Sequence, residues 1–137
     1  MPTISVLADV HMAVAGAGRV PFLAHLFYDC TDPYTVQVQF YDRGTALARW
    51  HFDRQMLAEG VHRRVGEGDV VFRPQRTVDG HEVHMELRDH TAPGRRTAVV
   101  CTDAATLADF LQQTYALIPA GTESLDLDGP LRDLLAR

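Results

Sequence analysis

Seven histidines and two cysteines are the side chains of this protein best suited to hold a metal ion or arm a nucleophile. Zinc sites commonly take paired ligands from short repeats such as CxxC or HExxH, which place two donors on one face of a turn or helix. Neither repeat is present. His81 and His84 stand three apart in a strand-like run, and successive residues of a strand point to opposite faces, so this spacing separates them. Cys30 and Cys101 are isolated, and a lone cysteine behaves as a small buried hydrophobe. A pairing of Cys30 with His25 or His51 depends on the fold and stays open. Serine chemistry fails too: there is no GxSxG, and neither Ser5 nor Ser124, the only serines, sits at a sharp strand-to-helix turn.

The other charged or glycine-rich motifs read equally plainly. Gly66-x-Gly68 has no following helix and no Lys-Ser or Lys-Thr, so it matches neither a P-loop nor a dinucleotide fingerprint. Glu123, Asp126 and Asp128 gather carboxylates where a helix start favours acids through its dipole alone. The densest basic clusters are the pairs Arg63-Arg64 and Arg95-Arg96, each beside a turn, as in solvated loops. These motifs predict no catalytic residues, no metal and no cofactor, and hence a protein that is not an enzyme.

The elements that position these groups belong to one domain spanning 1–137, long enough to bury a core without staples. Net charge is -5 and lysine is absent, a balance that makes a nucleic-acid partner unlikely. The chain opens MPTISV with no basic region or cleavage site typical of a secretory leader, which predicts a cytoplasmic protein with free cysteines. Asp9, His11, Arg19 and His25 interrupt the apolar N-terminal third, so membrane contact is expected only indirectly, through a partner.

Alternation with a period of two predicts strands over 3–14, 21–28, 34–41 and 46–52. The second has two largely apolar faces, Phe22, Ala24, Leu26 and Leu23, His25, Phe27, which predicts burial on both sides. Asp32-Pro33 and Asp42-Arg43-Gly44 supply the turns. Trp50 and Phe52 share a face, with Trp50 read as a core ring rather than a stacking platform. At Asp53 the period becomes helical, with Asp53 as cap and Gly60 as a left-handed C-cap. Gly66 and Gly68 bracket a loop, and strands follow over 70–73, 82–88 and 96–101. Leu107, Phe110, Leu111, Thr114, Tyr115 and Ile118 form the stripe of the main helix, capped by Thr102 or Asp103 and stopped by Pro119. A short last helix carries Leu131, Leu134 and Leu135 after Asp128 and Pro130. The order is four strands, a short helix, three strands and two helices, an α+β domain.

The stretch 28–68 carries a further signal. Asp32, Pro33 and Tyr34 form an acidic-Pro-Tyr turn, Trp50 and Phe52 a W-x-F strand, and Arg54, Leu57 and Gly60 an R-x-hydrophobic-L-x-x-G helix. Gly66, Gly68, Asp69 and Val70 form a G-x-G-D-V strand entry. In this order the motifs resemble the SsgA-like family of sporulation and cell-division proteins of actinomycetes, although Gln55-Met56 departs from its more usual acidic-hydrophobic pair.

The resemblance implies an antiparallel β-sheet scaffold of about seven strands, Whirly-like, with one short helix after the fourth strand and two C-terminal helices. It implies a non-enzymatic regulator of sporulation-specific division that binds at septa, recruits FtsZ or affects septal wall synthesis, and forms homo-oligomers, with a trimer favoured. Another SsgA-like protein is an alternative partner. A single-stranded nucleic-acid binder is the alternative function. Tyr41, Arg43 and Arg49 are candidate protein-contact residues by type, since aromatic and arginine side chains dominate binding hot spots.

Overall fold

The computed structural model describes residues 2–14, 18–89 and 96–124. Eight strands form one antiparallel sheet: β1 (Thr3–Val14), β2 (Gly18–Asp29), β3 (Thr35–Asp42), β4 (Thr45–Asp53), β5 (Val65–Glu67), β6 (Val70–Thr77), β7 (Gly80–Asp89) and β8 (Arg96–Asp103). Two helices are described, α1 (Arg54–Gly60) between β4 and β5 and α2 (Ala104–Leu117) after β8. The sheet order β4-β3-β2-β1-β8-β7-β6-β5 joins two meanders through β1 and β8, which pair from Val10 with Thr102 to Ala13 with Val99.

The strand missing from the sequence reading is β5. Three residues between turns give no measurable alternation, yet Val65, Gly66 and Glu67 pair with Phe72, Val71 and Val70. Gly66 is therefore a strand residue, not the border of a loop. A Cβ there would stand 2.8 Å from the Val70 carbonyl oxygen and 2.9 Å from Val71 Cγ2. Gly68 makes the turn itself, at φ +62°.

The sheet is coiled rather than flat. Phe52 lies on the edge strand β4 and Phe72 on β6, with five strands between them in the order. A flat sheet would hold those two strands about 29 Å apart. Their rings instead meet edge-to-face with centroids 5.0 Å apart. This coiling brings Ala8, Val10, Ala24, Leu26, Val38, Phe52, Phe72, Val83, Met85 and Val100 into one buried cluster. α2 packs on β1, β7 and β8 and adds Leu107, Phe110 and Leu111 to the same cluster.

Short α1 bridges β4 to β5 and β6, where the two ends of the sheet approach. Asp53 caps it by accepting from the Gln55 N–H at 3.0 Å. Its far end differs from the expected left-handed C-cap: Val61 closes the helix with φ -68°, and Gly60 is its last residue. Glycine is required there by packing, because a Cβ would lie 2.4 Å from Phe72 Cβ. α2 is capped by Asp103, which accepts from the Thr106 N–H at 3.2 Å.

β2 meets the expectation of two buried faces on one side only. Ala24, Leu26 and Tyr28 are buried, whereas Leu23 is exposed and His25 and Phe27 are half-buried. The expected last helix, with Leu131, Leu134 and Leu135, lies outside the described residues, as do residues 15–17 and 90–95. Among the described residues, no helix is long and apolar enough to cross a membrane.

Candidate functional site

The signature residues converge on Arg54, which is 1% exposed. An arginine at the first position of α1 is carried inward because the backbone N–H of Arg54 bonds the Tyr34 carbonyl at 2.8 Å, pinning the helix start to the turn between β2 and β3. A buried guanidinium must spend its donors on acceptors, since an unpaired buried charge is costly. Nη1 donates to the carbonyls of Thr114 at 3.1 Å and Ile118 at 2.8 Å at the end of α2, the first of which also accepts from the Ile118 N–H at 2.9 Å. Nη2 donates to Glu123 Oε1 at 2.6 Å. The guanidinium also lies 4.0 Å from the Tyr115 ring centroid and 5.2 Å from that of Tyr28, within cation–π range.

The surrounding groups complete this knot. Tyr28 donates its hydroxyl to the Pro33 carbonyl at 2.8 Å, and Tyr34 donates its own to the Glu123 carbonyl at 3.0 Å. Burial pushes the Tyr28 hydroxyl up to about 12, partly offset by Arg54, so it remains a donor. Burial also raises Tyr115. Glu123 is held below the usual carboxylate range by its own backbone N–H and then by Arg54. Gly121 N–H binds its other oxygen at 2.8 Å. The result ties the β2–β3 turn, α1, the end of α2 and segment 119–123 together. It holds no nucleophile, and its one arginine turns both terminal nitrogens to its own chain, while its Nε is buried without a hydrogen-bond partner among the described residues.

The remaining signature residues divide between this knot and the core. Pro33 is buried and Tyr34 half-exposed above Arg54, whereas the side-chain turn chemistry near Asp32 belongs to Asp29, whose Oδ1 accepts from the Thr31 N–H and hydroxyl, both at 3.0 Å. Those two bonds, the backbone one first, hold Asp29 below its usual range. Leu57 and Phe52 are fully buried. Trp50 is half-buried and stacks on Phe52, with centroids 6.3 Å apart. Asp69 is exposed and its carbonyl accepts from the Arg88 N–H at 2.8 Å.

The candidate contact residues lie on the opposite, convex face. Tyr41 and Arg49 line one shallow cleft with His25, Phe27, Gln37 and Gln39. Arg43 is not with them; it forms the tip of the β3–β4 hairpin, at φ 50° beside Gly44 at φ 82°. A bulge explains why the polar Gln39 is buried. The register shifts between Gln39 and Tyr41, and the Gln39 amide donates to the carbonyls of Leu47 at 2.9 Å and Ala48 at 3.2 Å. Arg49 Nε donates to Gln39 Oε1 at 3.1 Å, so the bulge also orients this arginine. Leu7 and Leu23 are exposed on the same face, and His25 and Ser5 share a short hydrogen bond beside them.

Sequence reasoning missed the knot because the side-chain partners of Arg54 lie 60 to 69 residues away along the chain. The one local signal was Arg54 itself, a charge next to the cap of a helix with an otherwise apolar inner face.

Comparison with known proteins agrees with these signatures. The profile of the family described as "Streptomyces sporulation and cell division protein, SsgA" matches residues 22–123. The sporulation-specific cell division protein SsgB of Streptomyces coelicolor is 35% identical over 136 residues, covering 98% of this chain and 96% of that protein. SsgB of Saccharopolyspora erythraea is 39% identical over 119 residues, covering 85% and 80% respectively. A crystal structure of an SsgA-like sporulation-specific cell division protein from Thermobifida fusca superposes with a TM-score of 0.85 at 30% identity, covering 96% of this chain and 95% of that one. The chain belongs to the SsgA family of sporulation and cell division proteins.

Proposed function

We propose that this protein is a non-enzymatic regulator of sporulation-specific cell division that acts by binding other proteins at the septum. One observation carries the reading: the family match spans 22–123, and relatives aligned over nearly the whole chain are named sporulation-specific cell division proteins. The finer mechanism proposed is control of septum placement by recruiting FtsZ, with septal wall synthesis as the alternative target. The burial of Arg54 and the bonds of its Nη1 and Nη2 to its own chain support a structural role for the signature residues, which leaves the convex face to meet partners. Exposed Leu7 and Leu23 on that face support self-association, with a trimer as the proposed state.

The test combines imaging and binding in a sporulating actinomycete. Tagged protein is expected at division septa, and purified protein is expected to retain FtsZ or another SsgA-like protein in a pull-down. Tyr41→Ala with Arg49→Glu should abolish retention without unfolding the chain. A diffuse signal together with no retained division protein would refute the reading.

A second reading, a single-stranded nucleic-acid binder on a Whirly-like sheet, is favoured by the rings of Tyr41, Phe27 and His25 beside Arg49. Net charge -5 opposes it. A low-salt gel shift with a short oligonucleotide is expected to show no complex.

A further inference from the structure

Strand pairing brings together donors that their spacing in the chain keeps apart. His84 of β7 and Cys101 of β8 are opposite in register, and Glu82 is two residues before His84, on the same face. A Glu82 carboxylate oxygen, a His84 ring nitrogen and the Cys101 sulfur all lie within 4.8 Å of one another. His11 of β1 is the next partner in the row, on the far side of Cys101. His81, the other histidine singled out by sequence, is exposed and takes no part.

Two further observations suit this cluster to a ligand. Cys101 is 2% exposed although it faces away from the core, because its neighbours in the row cover it. His84 Nε2 lies 3.1 Å from Glu82 Oε1, while its Nδ1 is buried without a hydrogen-bond partner among the described residues. The Nδ1 atom is therefore a buried polar group still to be satisfied.

Carboxylate, imidazole and thiolate together form a donor set for a borderline-soft divalent ion. A tetrahedral zinc ion would hold such donors about 3.3–3.6 Å apart, so side-chain shifts of about 1 Å close the set. We propose that Glu82, His84 and Cys101 form a binding site for a divalent metal ion of the zinc class, with water or His11 as the fourth ligand. On binding, the thiol proton leaves to solvent, and dication, carboxylate and thiolate balance to neutrality.

Arg19 is the built-in competitor. It grips Glu82 through two bonds of 2.8 Å, and its side chain is 45% exposed, so it can swing into water when an ion takes the carboxylate. An ion held here ties β7 to β8 one strand away from β1, beside the pairing that joins the two meanders.

Titration of the untagged full chain with Co(II), followed by Zn(II), tests the site. The expected result is one Co(II) per chain with a near-ultraviolet thiolate-to-cobalt band, loss of the band on Zn(II) addition, and a higher thermal midpoint with Zn(II). Cys101→Ser should remove the band and Cys30→Ser should keep it. Arg19→Gln, at an exposed position, should tighten binding several-fold, and it carries the test alone if Cys101→Ser does not fold. No band with excess Co(II), a band that follows Cys30 instead, or unchanged binding in Arg19→Gln would overturn the proposal.

Discussion

The Arg54–Glu123 pair and the Arg19–Glu82 pair use the same two groups at 2.6 and 2.8 Å, yet the first arginine side chain is 1% exposed and the second 45%. Arg54 is fixed from several directions at once, by two carbonyls, a carboxylate and two aromatic rings. Arg19 touches Glu82 across the sheet with water on its other side. Two long side chains ordered in water offset most of their own attraction, whereas a guanidinium already desolvated loses heavily when its partners go. The contrast separates a fastening of the fold from a contact the fold can release.

Arg54→Ala attacks the fastening directly and should have the largest effect. Removing the guanidinium strands acceptors beneath Tyr28 and Tyr115, at a cost of about 3–5 kcal/mol in urea unfolding. Gly60→Ala loads the same helix from its other end. With Phe72 Cβ 2.4 Å from the added carbon, overpacking should cost about 1–3 kcal/mol. Tyr28→Phe removes only the hydroxyl bonded to the Pro33 carbonyl, leaving that buried acceptor short of a donor, and should cost about 1–2 kcal/mol. At the far end of the comparison, Arg19→Gln should change stability at neutral pH by less than about 1 kcal/mol. Equal losses for Arg54→Ala and Arg19→Gln would break the distinction.

The same small contribution of the Arg19 pair should also appear as a difference in acid dependence. Arg19 first, and His84 in a smaller measure, hold the Glu82 carboxyl down to about 2 from an ordinary 4.5. A depressed carboxylate contributes stability above its unfolded value, and that contribution is lost as pH falls from about 4.5 through about 2. Thermal midpoints of Arg19→Gln should therefore fall less steeply than those of the parent across this window. Glu123 shifts in the same direction, so the parent retains part of its acid dependence in either case.

The strands were legible because apolar alternation reports directly on a half-buried sheet, and both helices in the described residues announce themselves by a cap aspartate and a change of period. What escaped was set by contacts across the sheet. β5 is too short to alternate, and Gly60 was assigned to a cap when a ring on β6 dictates it. Gln39 reads as an outer-face polar residue, but the bulge draws its amide onto the carbonyls of Leu47 and Ala48. Arg54, and the meeting of Glu82 with Cys101, depend on strand order, which alternation within a strand does not encode.

The pairing of β1 with β8 also bears on how the protein is made. β1 is made before the other seven strands and its partner β8 after them, so during most of their synthesis β1 carries an unsatisfied backbone edge, which β7 joins only shortly before β8 is made. Each meander grows from local hairpins, but neither can bury its concave face before residues 96–103 emerge and α2 follows. A nascent chain stalled before β8 therefore presents two open strand edges, the kind of surface through which incomplete chains associate.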